Sequence, residues 1–127
     1  KMSSSVERSK IDLLDDERTV NEKIKNAYCV AGEVEGNGVL AFVKYVIMVI
    51  KENKGKIFVV ERDMAYGGNL DFKNYDELEK AYIDRKLHPL DLKKAVVREV
   101  NNLLGPIRKH LKELSALYML AYENGKR

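Results

Sequence analysis

The last third of the chain carries the feature that most constrains the fold, an apolar stripe with the period of an α-helix. The stripe begins just after His88-Pro89-Leu90-Asp91, and a proline followed two residues later by an acid is typical of a helix start. Gly105-Pro106 interrupts the pattern and predicts a kink, followed by a separate short helix over residues 115–122. The stripe residues recur at intervals of three and four and are Leu92, Val96, Val100, Leu103, Ile107, Leu111 and Leu114. A long amphipathic helix is therefore expected, and it must pack against other elements.

Capping residues and local propensity predict the remaining elements. Three further helices are expected over residues 17–28, 39–52 and 75–85, because an acid or asparagine that can cap a helix precedes each of them. Residues 57–60 form a β-branched and aromatic run and are the best strand candidate. Residues 69–72 are a second candidate for a short strand. We therefore expect a mainly α fold with a small two-stranded β element.

Composition excludes several classes of protein. The 127 residues suffice for one compact domain, and a hydrophobic content of 45% is that of a folded chain rather than a disordered tail. No apolar run reaches the ~20 residues of a membrane helix. Cys29 is the only cysteine, so no disulfide framework or cysteine-rich zinc site is expected, and a cytoplasmic protein without a membrane or metal partner fits best.

The basic charge is concentrated toward the C-terminus. Residues 88–127 contain eight lysines and arginines against four acids, which favours a polyanionic partner. A lysine-rich helix that is merely solvated explains the same count and stays open as an alternative.

The opening residues, Lys1-Met2-Ser3-Ser4-Ser5, combine an ammonium group with hydroxyl donors, a chemistry that suits a polyphosphate. A frayed polar terminus is the simpler interpretation when these five residues are taken alone. Because residue 1 is a lysine rather than a methionine, we expect a piece of a longer protein or a processed chain.

Several ordered blocks carry a resemblance to a known family. Besides Lys1-Met2-Ser3-Ser4-Ser5, they include Lys25-Asn26-Ala27-Tyr28-Cys29, Gly32-Glu33-Val34-Glu35-Gly36-Asn37, Tyr66-Gly67-Gly68 and Leu87-His88-Pro89-Leu90-Asp91-Leu92-Lys93-Lys94-Ala95-Val96. From residue 1 to about 112 the chain resembles the C-terminal portion of class I tyrosyl-tRNA synthetases of the archaeal and eukaryotic type. The last of these blocks is the most specific.

The resemblance implies a parent enzyme that activates tyrosine with ATP and Mg²⁺ and transfers it to tyrosine tRNA. Residues 1–14 would be its ATP loop and a linker, with Lys1, Ser3, Ser4 and Ser5 stabilising the pyrophosphate that leaves. Residues 15–127 would form the anticodon-binding domain. A nucleotide-binding fold with its histidine signature is missing, so we expect the 127-residue chain alone to be inactive. The resemblance also implies that the parent is a homodimer.

The same resemblance assigns four residues to the first base of the anticodon: Tyr66, His88, Pro89 and Asp91. Unpaired bases are read by aromatic stacking together with hydrogen bonds to their edges, and a carboxylate can accept from a guanine. For His88, Pro89 and Asp91 the structural alternative is a helix cap. The candidates for contacts with tRNA phosphates, each of which could also be an ordinary solvated charge, are Lys93, Lys94, Arg98, Arg108, Lys109 and Lys112.

The leading hypothesis is thus the anticodon-binding part of a tyrosine–tRNA ligase, with no DNA partner. A free-standing RNA-binding module derived from a synthetase, without catalysis, is the alternative. A helical protein-interaction module that binds no RNA is a third and weaker one.

Overall fold

The computed structural model describes residues 15–125, with side chains described as far as residue 121. Its helices are α1 (Glu17–Lys25), α2 (Gly38–Phe42), α3 (Met48–Asn53), α4 (Tyr75–Ile83) and α5 (Pro89–Gly125), and its strands are β1 (Phe58–Val60) and β2 (Leu70–Phe72). A π-helical turn, Val43–Ile47, joins α2 to α3 without a break, and a 3-10 turn, Met64–Tyr66, lies between the strands. The prediction of a mainly α fold with a two-stranded β element is confirmed.

The predicted capping residues start their helices. The side chain of Asp16 accepts from the Thr19 amide at 2.8 Å, Asn37 accepts from Leu40 at 3.0 Å, and Asn74 begins α4 in the same way. These bonds satisfy amide groups that a helix cannot pair within its own first turn.

Two helix ends differ from the prediction. Helix α1 stops at Lys25, so Tyr28, which the prediction placed at the end of this helix, lies beyond it. It is 56% exposed and donates to the Glu33 carboxylate. Helix α4 stops at Ile83, because Arg85 takes a left-handed backbone conformation with φ of 62°, which an α-helix cannot contain.

The two strands form an antiparallel ribbon in which Phe58 pairs with Phe72 and Val60 with Leu70. Because side chains alternate across a strand, Phe58 and Val60 share one face, and both are completely buried. That face joins the single hydrophobic core, to which every helix contributes.

Helix α5 corrects the prediction of a separate short helix over residues 115–122. It continues through Pro106 to Gly125, because a proline removes only one hydrogen bond of the ladder and the flanking turns can continue the helix. Its stripe is buried at Leu92 and Val100 but exposed by Leu114, since no element of the described chain covers the later turns. None of the helices in the described residues has the length and apolar character needed to cross a bilayer.

A buried tyrosine ties the segment before α2 to helix α4. The Tyr82 hydroxyl donates to the Val30 carbonyl at 2.7 Å, accepts from the Asn37 side chain at 3.2 Å and lies 3.2 Å from the Cys29 sulfur. Burial, followed by the hydrogen bond with Cys29, raises the pKa of this hydroxyl above its ordinary value.

Candidate functional site

A groove runs between the segment that joins the two strands and the first turns of α5. It has two compartments, which we name after one residue of each. The His88 compartment has a volume of about 590 Å³, and the Asn69 compartment about 740 Å³. Both volumes are typical of ligand sites. The residues that line both compartments are Arg62, Tyr66, Asp91 and Lys94.

Tyr66 reaches the groove from a tight turn. Its amide donates to the Asp63 carbonyl at 2.9 Å, and the two glycines that follow have positive φ, 100° at Gly67 and 81° at Gly68. Side chains there would be strained, and a Cβ on Gly68 would lie 3.2 Å from the Met64 sulfur. The glycine pair therefore shapes the turn, and it leaves 72% of Tyr66 exposed.

Arg62 holds the two walls of the groove together, and nothing in the sequence singled it out. Its Nε donates to the Gly68 carbonyl at 2.7 Å, behind Tyr66. Its Nη1 donates to the Lys86 carbonyl at 3.2 Å, in the segment that leads to His88. Its backbone amide donates to the Asn69 side chain at 3.1 Å. Arg62 thereby fixes the tyrosine relative to the start of α5.

The first turn of α5 supplies the opposite wall. The His88 Nδ1 accepts from the Leu90 amide at 3.1 Å, so the predicted helix cap is present and is made by His88. Asp91 is half-buried, and its carboxylate has no hydrogen bond or ion pair within the described part of the chain. Pro89 begins the helix but is not among the residues that line the groove.

The structure thus brings together Tyr66, His88 and Asp91, three of the four residues that the resemblance assigned to one base. Because its Nδ1 accepts from an amide, His88 presents Nε2 as a donor, Tyr66 offers an open aromatic face, and Asp91 offers carboxylate oxygens that no described residue engages. A planar ligand with N–H donors on its edge fits this set.

The six candidates for phosphate contacts separate into those that bond to other described residues and those that are exposed without such a partner. Lys93 donates to the Lys25 carbonyl at 2.7 Å, where it closes the end of α1. Arg108 donates to the Asp15 carbonyl and to the Asn101 side chain, both at 2.8 Å. The exposed members, for which no partner is found among the described residues, are Lys94, Lys109 and Lys112.

Arg98, like Lys93 and Arg108, is engaged by other residues of the chain, in this case through an ion network. Its guanidinium donates to the Val59 carbonyl of β1 and to the Glu99 carboxylate at 2.9 Å. Glu99, only 8% exposed, also binds Lys51 of α3 at 3.1 Å. Buried carboxylates require such partners, so this network holds α3, β1 and α5 together beneath the Asn69 compartment.

The predicted ATP loop cannot be placed. Lys1, Ser3, Ser4 and Ser5 lie outside the described residues, so the assignment of these residues to pyrophosphate stays a prediction.

Comparison with known proteins gives a consistent result. A family model described as tRNA synthetases class I (W and Y) matches residues 1–105. The tyrosine–tRNA ligase of Haloarcula marismortui is 42% identical over 122 residues, which are 96% of this chain and 35% of the relative. That of Saccharolobus islandicus is 46% identical over 111 residues, 87% of this chain and 30% of the relative.

Solved structures agree with the sequences. The tyrosyl-tRNA synthetase of Pyrococcus horikoshii, complexed with L-tyrosine, superposes with a TM-score of 0.80 at 36% identity, over 91% of this chain and 30% of that one. The tyrosyl-tRNA synthetase of Archaeoglobus fulgidus, also complexed with L-tyrosine, superposes with a TM-score of 0.73 at 40% identity, over 80% of this chain and 30% of that one. The chain therefore spans about a third of the length of the relatives that it matches.

Proposed function

The chain belongs to the class I tRNA synthetases of the tryptophan and tyrosine group, and from this premise we propose that it is the anticodon-binding part of a tyrosine–tRNA ligase. The relatives named above are tyrosine–tRNA ligases that are about three times as long. The remaining two thirds would bind tyrosine, ATP and Mg²⁺, form the adenylate and provide the surface of a homodimer.

One observation carries the proposal: the exposed Tyr66 ring lines the same groove as the Asp91 carboxylate, which has no partner among the described residues. Single-stranded RNA loops are recognised by this combination, because a splayed base stacks on the ring while its edge meets a hydrogen-bonding side chain. A carboxylate accepts from donors, so it selects a base that presents adjacent N–H groups. Guanine does so through N1–H and its 2-amino group.

The His88 compartment suits the first base of the anticodon. Tyr66 provides a stacking surface, the first turn of α5 presents Asp91 to the base edge, and His88 keeps one ring nitrogen for a further contact. Lys94 lines the same space and can neutralise a phosphate. The free-standing RNA-binding module shares this groove, and the ligase is favoured because the relatives that match nearly the whole chain are ligases.

The test compares Asp91→Ala with the unchanged chain in binding a stem-loop RNA of the tyrosine tRNA anticodon arm, at fixed salt near 0.15 M. Loss of one good base contact costs about 1–3 kcal/mol, so the dissociation constant should rise about 5- to 150-fold. Asp76→Ala is a matched control, because Asp76 is an exposed acid in the first turn of α4 and does not line the groove. The affinity of Asp76→Ala for the stem-loop should stay within about twofold of that of the unchanged chain.

A second RNA tests the chemistry of recognition. Inosine at the first anticodon position lacks the 2-amino group of guanine, so the unchanged chain should bind it more weakly, and Asp91→Ala should bind both RNAs equally. Equal affinity of the unchanged chain and Asp91→Ala for the guanine RNA would remove Asp91 from the site.

A further inference from the structure

We propose that the Asn69 compartment is a second nucleotide site, which takes an unpaired base next to the one at Asp91, and that Arg62 and Lys94 bind the phosphodiester between them. This inference rests on the proposed function, because it assumes that an RNA strand enters the His88 compartment. It adds a second base to the ligand and a phosphate contact for Arg62, and it places the phosphate that Lys94 binds between the two bases.

The two compartments are contiguous, and their shared residues define the boundary. Arg62, Tyr66, Asp91 and Lys94 line both, so a strand that leaves one compartment enters the other beside these side chains. Successive bases of RNA are joined by one phosphate each. The cations shared by two neighbouring base sites therefore stand where that phosphate must pass.

The donors that remain unused at this boundary support an anion there. Arg62 commits Nε and Nη1 to the Gly68 and Lys86 carbonyls, whereas its Nη2 has no acceptor within the described residues. Lys94 is exposed and makes no ion pair in that same part of the chain. Two adjacent cationic donors with unsatisfied hydrogens are suited to phosphate oxygens.

The interior of the Asn69 compartment is suited to a base rather than to a second phosphate. Glu61 and Asp63 line it, and both are exposed acids that repel phosphates but accept from amino groups. The one further cation, Arg98, is neutralised by Glu99 at 2.9 Å and lies 3.9 Å from Glu61. The phosphate therefore belongs at the boundary and the base inside.

Asn69 provides the donor that completes base recognition. Its Oδ1 accepts from the Arg62 amide at 3.1 Å, which orients the side-chain amide and leaves Nδ2 without an acceptor in the described chain. That N–H₂ group can donate to a ring nitrogen or carbonyl oxygen of a base, while the neighbouring acids accept from its amino group. The ligand class is thus an unpaired nucleobase with both kinds of group on its edge.

The base site is tested with Asn69→Asp and with RNAs that carry an abasic residue on either side of the first anticodon base. Asn69→Asp keeps the acceptor for Arg62 but removes the donor. For the unchanged chain, one of the two abasic RNAs should bind about 5- to 20-fold more weakly than the intact stem-loop, on the scale of one stacked or hydrogen-bonded base. Asn69→Asp should bind the intact RNA and that abasic RNA within twofold of each other.

The phosphate contact is tested through salt dependence. Lys94→Gln should lower the slope of log affinity against log salt by about 1, the contribution of one phosphate contact. Lys54→Gln, an exposed lysine at the end of α3, is the control and should leave the slope unchanged.

The outcomes separate this inference from the function on which it rests. If both abasic RNAs bind as tightly as the intact one, or if Lys94→Gln leaves the slope unchanged, the second site is refuted. In that case the effects of inosine and of Asp91→Ala still support the proposed function. If the chain discriminates neither inosine nor the abasic RNAs, both proposals are refuted.

Discussion

Replacing Tyr82 by phenylalanine removes a single oxygen atom from the centre of the fold, and its cost follows from the partners of that atom. The hydroxyl donates to the Val30 carbonyl at 2.7 Å and accepts from the Asn37 side chain at 3.2 Å. Each such bond contributes about 1 kcal/mol, and a buried group left unsatisfied costs about 1–3 kcal/mol. The ring itself stays, so no cavity larger than the hydroxyl forms.

Two features place the expected loss of stability toward the lower end of these values. The Val30 carbonyl keeps a second bond, from the Glu33 amide at 3.1 Å, so the substitution does not leave it unsatisfied. Asn37 is buried but keeps its second bond, to the Glu33 carbonyl at 3.0 Å. We therefore expect Tyr82→Phe to lower the free energy of unfolding by about 1–2 kcal/mol, which corresponds to about 4–8 °C in Tm for a chain of this length.

The assay is urea denaturation followed by circular dichroism, with Tyr45→Phe as the matched control. Tyr45 is 69% exposed, and its hydroxyl has no hydrogen bond within the described residues. Its substitution should change stability by less than about 0.5 kcal/mol. If Tyr82→Phe also falls below that limit, the hydroxyl does not tie the segment before α2 to α4, and the reasoning is wrong.

The pH dependence gives an independent check on the same group. Burial raises the pKa of Tyr82 above its ordinary value of 10.0, so the folded state keeps a proton that the unfolded chain loses. Its contribution to stability is complete below pH 10 and declines as the pH rises above 10 toward the folded pKa. Between pH 10 and 11 the unchanged chain should therefore lose more stability than Tyr82→Phe does.

Three further predictions follow from the site and its supports. Glu99→Gln leaves Lys51 and Arg98 without their shared anion and should cost about 3 kcal/mol in urea denaturation; a loss below about 1 kcal/mol would contradict the network. Gly67→Ala places a side chain at φ of 100°, 3.1 Å from the Arg62 guanidinium, and should destabilise the chain by about 1–2 kcal/mol and weaken stem-loop binding. The purified 127-residue chain should show no tyrosine-dependent pyrophosphate exchange, and detectable exchange would disprove the assignment of activation to a separate domain.

Local rules were sufficient where the deciding interaction is local. Asn37 and Asn74 accept from amides three residues ahead, so a window of a few residues contains both partners, and the predicted caps are correct. Strand β1 was predicted for the same reason, from a short run of β-branched and aromatic residues. By contrast, the predicted separate helix over residues 115–122 was wrong, because α5 continues without a break to Gly125, whereas the kink at Pro106 stays a prediction.

Periodicity predicted the apolar face of α5 but not the extent of its burial. Leu92 and Val100 are buried as expected, and Leu114 on the same stripe is 47% exposed. The spacing of residues determines which face of a helix is apolar, whereas burial depends on whether another element lies against that face. All the side chains from residue 112 to residue 121 are exposed, and the apolar spacing gives no signal of this.

Charge was the least predictable property of the site, because a count of lysines and arginines does not reveal which of them are engaged. Lys93 bonds to a carbonyl 68 residues away, Arg108 to one 93 residues away and Arg98 to one 39 residues away, so three of the six candidates for phosphate contacts have structural partners. Arg62, a lone arginine in a polar loop, was not predicted as a site residue, although it connects the turn of Tyr66 to a segment 24 residues later. An arginine becomes a positioning group only through carbonyls that the fold brings to it, and that information lies in the tertiary contacts rather than in any sequence window.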